Sequence, residues 1–430
     1  MFMKIAIWHN LPSGGGKRSL YYHVKGLIER GHIVESWCPS TADQTYLPLN
    51  ELITEHIIPF HWEPKSTKTI VGRVLSNFYN VTDKIAAMDD HCKQCADEIN
   101  AGDFDVLFAN PCTFYRVTSI AKYVKIPKVI YLQEPYRWLY EAMPDPTWAA
   151  LPNVKETQFS LRRTKDFLVD IAKIQGLRVQ VREEWQNAKA FDTILVNSSF
   201  SRESVARAYG LDSTVCYLGI DTELFKPLNQ PRSKMVVGLG SIYSGKGLER
   251  AVQSIGTIEE SERPSLVWIG NFADPEYLCK IEKLASLLGV NFVPKVRISD
   301  KEIVTLLNQA SVMVYTPILE PFGFAPLEAN ACETPVVAIA EGGVRETIQD
   351  GVNGFLLNGY NSIKIGRAIS KLITNPTLVR EMGKTARNIV IQKWSLESGI
   401  NNIENALLSK IESTNKIQVD EKYCTSMMTE

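Results

Sequence analysis

Short apolar runs bounded by turn residues recur along this chain, and stretches of helical spacing separate them. The first run, Met3 to Trp8, is broken by Pro12 to Gly16, and Leu20, Val24, Leu27 and Ile28 then mark one helix face between Lys17 and Arg30. Gly31 ends that helix, and His32 to Cys38 reads as the next strand. A strand–helix–strand unit predicts parallel pairing, with helices on the sheet faces. Beyond a helical stretch from Val81 to Asn100, further runs occupy Asp105 to Ala109, Lys128 to Leu132, Thr193 to Asn197 and Thr214 to Tyr217. They are rich in Val, Ile, Leu and Phe, as strands buried on both faces are. The pattern predicts a first doubly wound domain over residues 1–219.

Residues 220–234 carry two prolines and no periodicity, and read as a linker. A second alternation follows. Strands are expected at Met235 to Leu239, Ser265 to Gly270, Val290 to Pro294, Val312 to Thr316 and Val336 to Ile339. Helices are expected at Gly247 to Ile255, Glu276 to Leu288, Asp300 to Asn308 and Leu327 to Cys332. This predicts a second domain over residues 235–395. Leu396 to Ile411 has helical spacing and is expected to pack back towards the N-terminal domain, ahead of a loose polar tail ending at 430. The fold class is therefore α/β, two doubly wound Rossmann-like domains expected to face each other across an interdomain cleft. Ligands in such sheets bind beyond the carboxyl ends of the strands, which puts the expected site in that cleft.

Composition narrows the function. Lys and Arg (47) nearly cancel Asp and Glu (48), leaving no global field to attract nucleic acid. The eight cysteines are scattered and suggest reduced thiols in a cytoplasm rather than a disulfide framework. The N-terminal apolar run is too short for a signal peptide, and no window approaches a membrane span, so any membrane contact is expected to be peripheral.

Site chemistry is densest from Glu320 to Leu357, where Glu320 and Glu328 frame a glycine between aromatics and a double glycine, Gly342 and Gly343, follows. Carboxylates suit sugar hydroxyls because they accept several strong hydrogen bonds. The glycines let backbone approach a ligand closely, and a helix starting near Ala325 offers free N–H groups and a positive dipole to an anion. Spacing alone also allows two solvated carboxylates at a helix start.

These residues resemble the family 4 glycosyltransferases of the GT-B fold, which are retaining enzymes using nucleotide-sugar donors. EPFGFAPLE (Glu320 to Glu328) resembles the family's E-G-F-G-x-x-x-x-E, with Pro321 replacing its first glycine. GGVRETIQDGVNGFLL (Gly342 to Leu357) and GSIYSGKG (Gly240 to Gly247) are similar to two further family motifs, and VNSSFSRESVARAYGL with GIDTELFKP resembles the close of the acceptor-side domain. The resemblance implies that Lys246 binds the donor diphosphate and Glu328 the ribose hydroxyls. Glu320 would hold the donor sugar with the backbone of Gly323, Phe324 and Ala325, and Glu320 and Lys246 would be the catalytic pair. It adds Gly15, Gly16, Ser241, Gly247, Val296 and Arg297 to the donor side, the base being read near Val296, and His9, Gln133, Glu134 and Arg137 to the acceptor side. No cofactor and no metal are expected.

Two departures matter. Ser241 stands where the family has an arginine, so Lys17, Arg18 or Arg297 becomes the candidate second cation on the diphosphate. Gln133 stands where the family has a histidine near the reacting centre, and glutamine cannot take a proton. Other motifs are weaker. Gly240 to Gly247 nearly matches a phosphate-binding P-loop, but Gly247 occupies its hydroxyl position. Asp103-Phe104-Asp105 and Cys92-Lys93-Gln94-Cys95 read as a strand start and as chance, and the sequons at Asn80 and Asn197 as idle.

Val154 to Arg182 is more basic than acidic, with apolar positions at Leu161, Leu168, Ile171 and Ile174. Such a helix either docks on its own domain or lies on an anionic membrane surface. The expected protein is a retaining hexosyltransferase of the cytoplasm, free or peripheral on the inner face of the membrane. It would move sugar from a UDP- or GDP-sugar to a hydroxyl of a glycan or lipid-linked glycan of cell-surface polysaccharide synthesis. A nucleotide-sugar-binding protein without transfer and a GT-B nucleotide-sugar epimerase remain alternatives.

Overall fold

The structure is a computed structural model describing residues 2–65, 67, 69–141, 148–150 and 161–427. It divides into two compact units. The first is drawn from residues up to Val196, from Arg202–Cys216 and from Asn402 onwards; the second from Asn197–Ser201 and Tyr217–Asn401.

Unit one contains seven strands, β1 (Lys4–Asn10), β2 (Ile33–Pro39), β3 (Thr54–Ile58), β4 (Val106–Cys112), β5 (Lys128–Gln133), β6 (Thr193–Val196) and β7 (Thr214–Val215). They form one sheet in the order β3-β2-β1-β4-β5-β6-β7, and every pairing is parallel. Its helices are α1 (Gly15–Glu29), α2 (Ile70–Ala101), α3 (Ile120–Tyr123), α4 (Arg137–Tyr140) and α5 (Leu161–Ala188), while α6 (Ser199–Tyr209) divides between the units at Arg202. Ala6 and Trp8 of β1 pack with Met88, Cys92, Cys95 and Ile99 of α2. Ile5, Ile7 and His9 therefore point to the opposite face, because strand side chains alternate.

Unit two has strands β8 (Ser233–Leu239), β9 (Ser265–Gly270), β10 (Phe292–Val296), β11 (Ala310–Tyr315), β12 (Val336–Ile339) and β13 (Gly354–Leu357). They run parallel in the order β10-β9-β8-β11-β12-β13. The helices are α7 (Leu248–Gly256), α8 (Pro275–Leu287), α9 (Asp300–Gln309), α10 (Phe324–Ala331), α11 (Val344–Thr347), α12 (Ser362–Ile373) and α13 (Pro376–Lys393), while α14 (Leu396–Met427) divides between the units at Asn402. Val236, Trp268, Val312 and Val314 of the sheet pack with Leu248, Val252 and Ile255 of α7 and with Ile365 and Ile369 of α12.

Several boundaries differ from the sequence reading, each for a local reason. α1 begins at Gly15, so two glycines read as loop lie in its first turn, behind Gly14 at φ +138°. α2 starts at Ile70, eleven residues before the expected Val81, where the Thr69 hydroxyl accepts from the Gly72 N–H at 3.1 Å. β3 is an edge strand with its residues only partly buried, so it carries no continuous apolar run. Residues 220–234, read as a linker, belong to unit two. Arg387 donates to the carbonyls of Phe225 and Ala331, at 3.0 and 2.6 Å, and Arg232 donates to those of Ala310 and Glu333, at 2.5 and 2.7 Å. α14 runs to Met427, through the polar stretch expected to be loose.

α5 carries a buried carboxylate, Glu184, which accepts from Gln180 Nε2 at 2.9 Å and the Tyr209 hydroxyl at 3.0 Å. Burial is the largest influence and pushes its carboxyl up from the usual 4.5 to about 7. A folded-state pKa raised above the unfolded one means the folded chain holds this proton more tightly. Its stabilising contribution is complete below about 4.5 and is lost as pH rises to about 7, a difference of about 3 kcal/mol. Glu184→Gln should flatten that part of the profile. Melting temperatures of the two proteins across the window test this, and parallel curves would refute it.

Candidate functional site

The candidate residues of unit two gather at the carboxyl edge of its sheet. After β8 the chain passes through one short turn, Ser244–Lys246, and reaches Gly247 at φ +74°. A Cβ at Gly247 would lie 2.1 Å from the Thr316 carbonyl oxygen, a contact no side chain can make, and the Thr316 hydroxyl donates to the Gly247 carbonyl at 2.8 Å. This fastens the Lys246 turn to the loop that follows β11. There Lys246 Nζ lies 3.0 and 2.8 Å from the two carboxylate oxygens of Glu320, both side chains being about one-fifth exposed.

The Glu320 loop is itself strained and clamped. Leu319 has φ +56°, unfavourable for a residue with a Cβ, and Gly323 has φ +90°. Cβ atoms at Gly342 and Gly343 would meet the carbonyl oxygens of Glu320 and Pro321 at 2.2 and 2.1 Å. The Gly343 N–H donates to the Glu320 carbonyl at 2.8 Å, and the Ser198 hydroxyl to that of Pro321 at 2.5 Å. The loop delivers Phe324 and Ala325 to the first turn of α10, which has no side-chain cap. Its first N–H groups are therefore left to water or a ligand. Glu328 sits one turn further on and is buried.

Ser241, Val296 and Arg297 lie along the same edge. Ser241 Oγ donates to Asn271 Oδ1 at 2.6 Å, and Arg297, at φ +56°, donates through Nε to the Asn271 carbonyl at 3.4 Å and through its backbone N–H to Gly270 at 2.9 Å. Val296 ends β10, partly exposed.

Unit one forms a second group. A Cβ at Gly16 would lie 3.4 Å from Gln133 Nε2, so the start of α1, including Gly15, lies against Gln133. Gln133 has φ +63°, where the β5–β6 register shifts. Glu134 binds Arg137 Nε at 2.6 Å and Arg116 at 3.4 Å. His9 is apart from these. It is fully buried, and its Nε2 lies 2.9 Å from Glu55 Oε1. Burial holds its imidazole below the usual range, against the opposing pull of Glu55.

Lys17, a candidate second cation from sequence, is buried in the same cluster, and its Nζ has no hydrogen-bond partner. Burial lowers its pKa, while Glu55 and Cys38 oppose the shift. Arg18 instead donates to the Tyr46 hydroxyl at 2.8 Å. Ligand atoms of His9, Cys38 and Glu55 lie within 4.8 Å of one another, but Lys17 already supplies that cluster with a cation of the chain's own.

Sequence reasoning missed Glu55, because its strand went unrecognised, Asn271 and Arg116, which sit in no motif, and Glu346, which lies within the Gly342–Leu357 motif but drew no role from it. Glu346 accepts from the Ser199 and Phe200 N–H groups at 2.9 and 3.2 Å and from the Tyr217 hydroxyl at 2.8 Å. The weaker motifs resolve structurally. Cys92 and Cys95 are core residues, and burial pushes the Cys92 thiol up to about 12. Asp105 accepts from the Lys4 backbone N–H at 2.7 Å, as a strand-start residue does.

Comparison with known proteins agrees with this architecture. The family model "Glycosyl transferases group 1" matches residues 220–389. The human alpha-1,3/1,6-mannosyltransferase ALG2 is 31% identical over 243 residues, covering 50% of this chain and 58% of the relative. Alpha-maltose-1-phosphate synthase of Mycobacterium tuberculosis is 27% identical over 249 residues, covering 51% and 64%. The matched stretches thus span about half to two thirds of these curated relatives. Among solved structures, sucrose-phosphate synthase from Thermosynechococcus elongatus superposes with a TM-score of 0.70 at 16% identity, over 96% of this chain and 100% of that one. HepE of Anabaena, solved with UDP and glucose, gives 0.64 at 19%, over 95% and 100%. Both share the GT-B fold of two parallel-sheet Rossmann-like domains. The match to the group 1 glycosyltransferase family rests on residues 220–389, and the fold agrees with it.

Proposed function

We propose that the chain transfers a hexose from a UDP- or GDP-sugar to a hydroxyl acceptor with retention of anomeric configuration. The acceptor is a glycan or lipid-linked glycan of cell-surface polysaccharide synthesis, reached from the cytoplasmic side. The observation that carries this reading is the Lys246–Glu320 pair beside the uncapped start of α10. An ammonium and free helix N–H groups together form a site for a diphosphate, and the carboxylate released from the lysine becomes an acceptor for sugar hydroxyls. Glu328 would bind the ribose, and Arg297 is the remaining candidate for a second cation. No metal is required by this scheme.

The chemistry follows from which groups can hold a proton. Gln133 cannot take one, and the His9 imidazole is buried against Glu55. In the proposed step the acceptor hydroxyl oxygen bonds to the anomeric carbon as the bond from that carbon to the diphosphate oxygen breaks. The hydroxyl proton passes to the departing phosphate oxygen. Charge on that leaving group is stabilised by Lys246 and the α10 N–H groups.

The competing reading is a nucleotide-sugar binder without transfer, favoured by Ser241 and Gln133. Release of free nucleoside diphosphate only when acceptor is added supports transfer; donor binding with no such release supports the competitor. Lys246→Met should weaken UDP- or GDP-sugar binding about 10- to 100-fold, as loss of a hydrogen bond to a charged group does. Calorimetry across both donors checks this, and unchanged affinity would remove Lys246 from the site. Gly343→Ala should displace the Glu320 loop and lower kcat/KM by about 100-fold while circular dichroism stays native. Full activity in that variant would show that the clamp is not needed for transfer.

A further inference from the structure

The helix α5 has two contrasting faces, and among the described residues only one of them is covered. Ala172, Gly176, Gln180 and Glu184 form the buried face. A Cβ at Gly176 would lie 3.2 Å from the side chain of Val81 in α2, so the two helices pack closely there. On the other side of the helix, Phe167, Ile171, Ile174, Val181 and Trp185 recur at intervals of three, four and seven residues, which places them on one stripe. Phe167 is 56% exposed, Ile171 49% and Trp185 40%. The stripe is about 27 Å long at the helical rise.

Its inner half lines an apolar groove of about 470 Å³ together with Leu139 and Trp148, and Arg178 and Arg182 border it. Arg182 also pairs with Glu183 at 2.7 Å, while Arg178 is exposed and donates to Gln175 Oε1 at 3.4 Å. Neighbouring α2 adds a second outward stripe, Val71, Leu75 and Tyr79, each more than 40% exposed. From Leu161 to Arg182 the chain holds six Lys or Arg against two Asp, although the whole protein is almost neutral at −1. Of these cations, Arg163, Arg178 and Arg182 lie on the stripe's own side of the helix, beside the exposed apolar side chains. A solvated face explains the arginines but not the phenylalanine and isoleucine, and an ordinary protein contact does not call for the cations.

We propose that the α2–α5 helix pair docks on an anionic lipid bilayer. The α5 stripe would enter the headgroup–acyl boundary, and Arg163 and Arg178 would meet lipid phosphates. This surface lies within unit one and does not depend on the proposed sugar transfer. Residues 154–160 of the basic stretch noted in the sequence lie outside the described residues, and the inference uses none of them.

Flotation of the full chain with vesicles tests it. Vesicles of phosphatidylglycerol mixed with phosphatidylcholine should carry the protein upward, less so as salt rises, and phosphatidylcholine alone should not. The exposed double change F167S/I171S should abolish flotation while leaving the melting temperature unchanged. Arg163→Ala and Arg178→Ala should each weaken binding about fivefold. Failure to float with anionic vesicles would overturn the proposal, as would flotation unaffected by F167S/I171S. A concentration-dependent dimer dissolved by F167S/I171S, in a protein that ignores vesicles, would also overturn it and assign the stripe to a second copy of this chain.

Discussion

Backbone-to-backbone contact at three glycines holds the donor-side loops of unit two. Gly247 lies against the Thr316 carbonyl, Gly342 against that of Glu320 and Gly343 against that of Pro321, each so close that a methyl group would overlap the oxygen. Polar backbone buried in this way must find partners, and it does, through the Thr316 hydroxyl, the Gly343 N–H and the Ser198 hydroxyl. The Lys246–Glu320 ion pair is a consequence of that packing. Two partly exposed side chains contribute little to stability by themselves, so their meeting is explained by where the loops are fixed.

Backbone strain recurs at strand ends in both units. Leu319, Arg297 and Gln133 all have positive φ without being glycine, and each adjoins or is a candidate site residue. Such conformations persist only where surrounding structure enforces them. Around Leu319 the enforcing contacts are the glycine clamps. At Gln133 the β5 register shift, Gly16 and Leu11 close the space around the side chain and its neighbour.

In unit one the charged groups that sequence reasoning would send to a ligand divide by burial. Lys17 and His9 share a core cluster with Glu55 and Cys38, in which desolvation lowers the pKa of both bases. Glu134 and Arg137 remain near the surface in an ion pair joined by Arg116. A lysine directly after a glycine run therefore serves the packing of α1 on its sheet, whereas the similar-looking position in unit two, Lys246, stays partly exposed.

The alternation of apolar runs and helical spacing was enough to determine two parallel α/β sheets, because strands buried on both faces and helices packed on one face leave unmistakable periods. The glycine and glutamate motifs likewise picked out the loops that gather at the carboxyl edge of the unit-two sheet and pointed to the family. What periodicity could not reach was set by packing. β3 is an edge strand without a continuous apolar run, and residues 220–234 look like a linker until Arg232 and Arg387 are seen tying them to carbonyls over a hundred positions away in places. Glu55, Asn271 and Glu346 acquire their roles from neighbours distant in sequence. The burial of Lys17 and the bare outer face of α5 were also decided only by tertiary structure, since a side chain's solvation depends on what the rest of the chain places beside it.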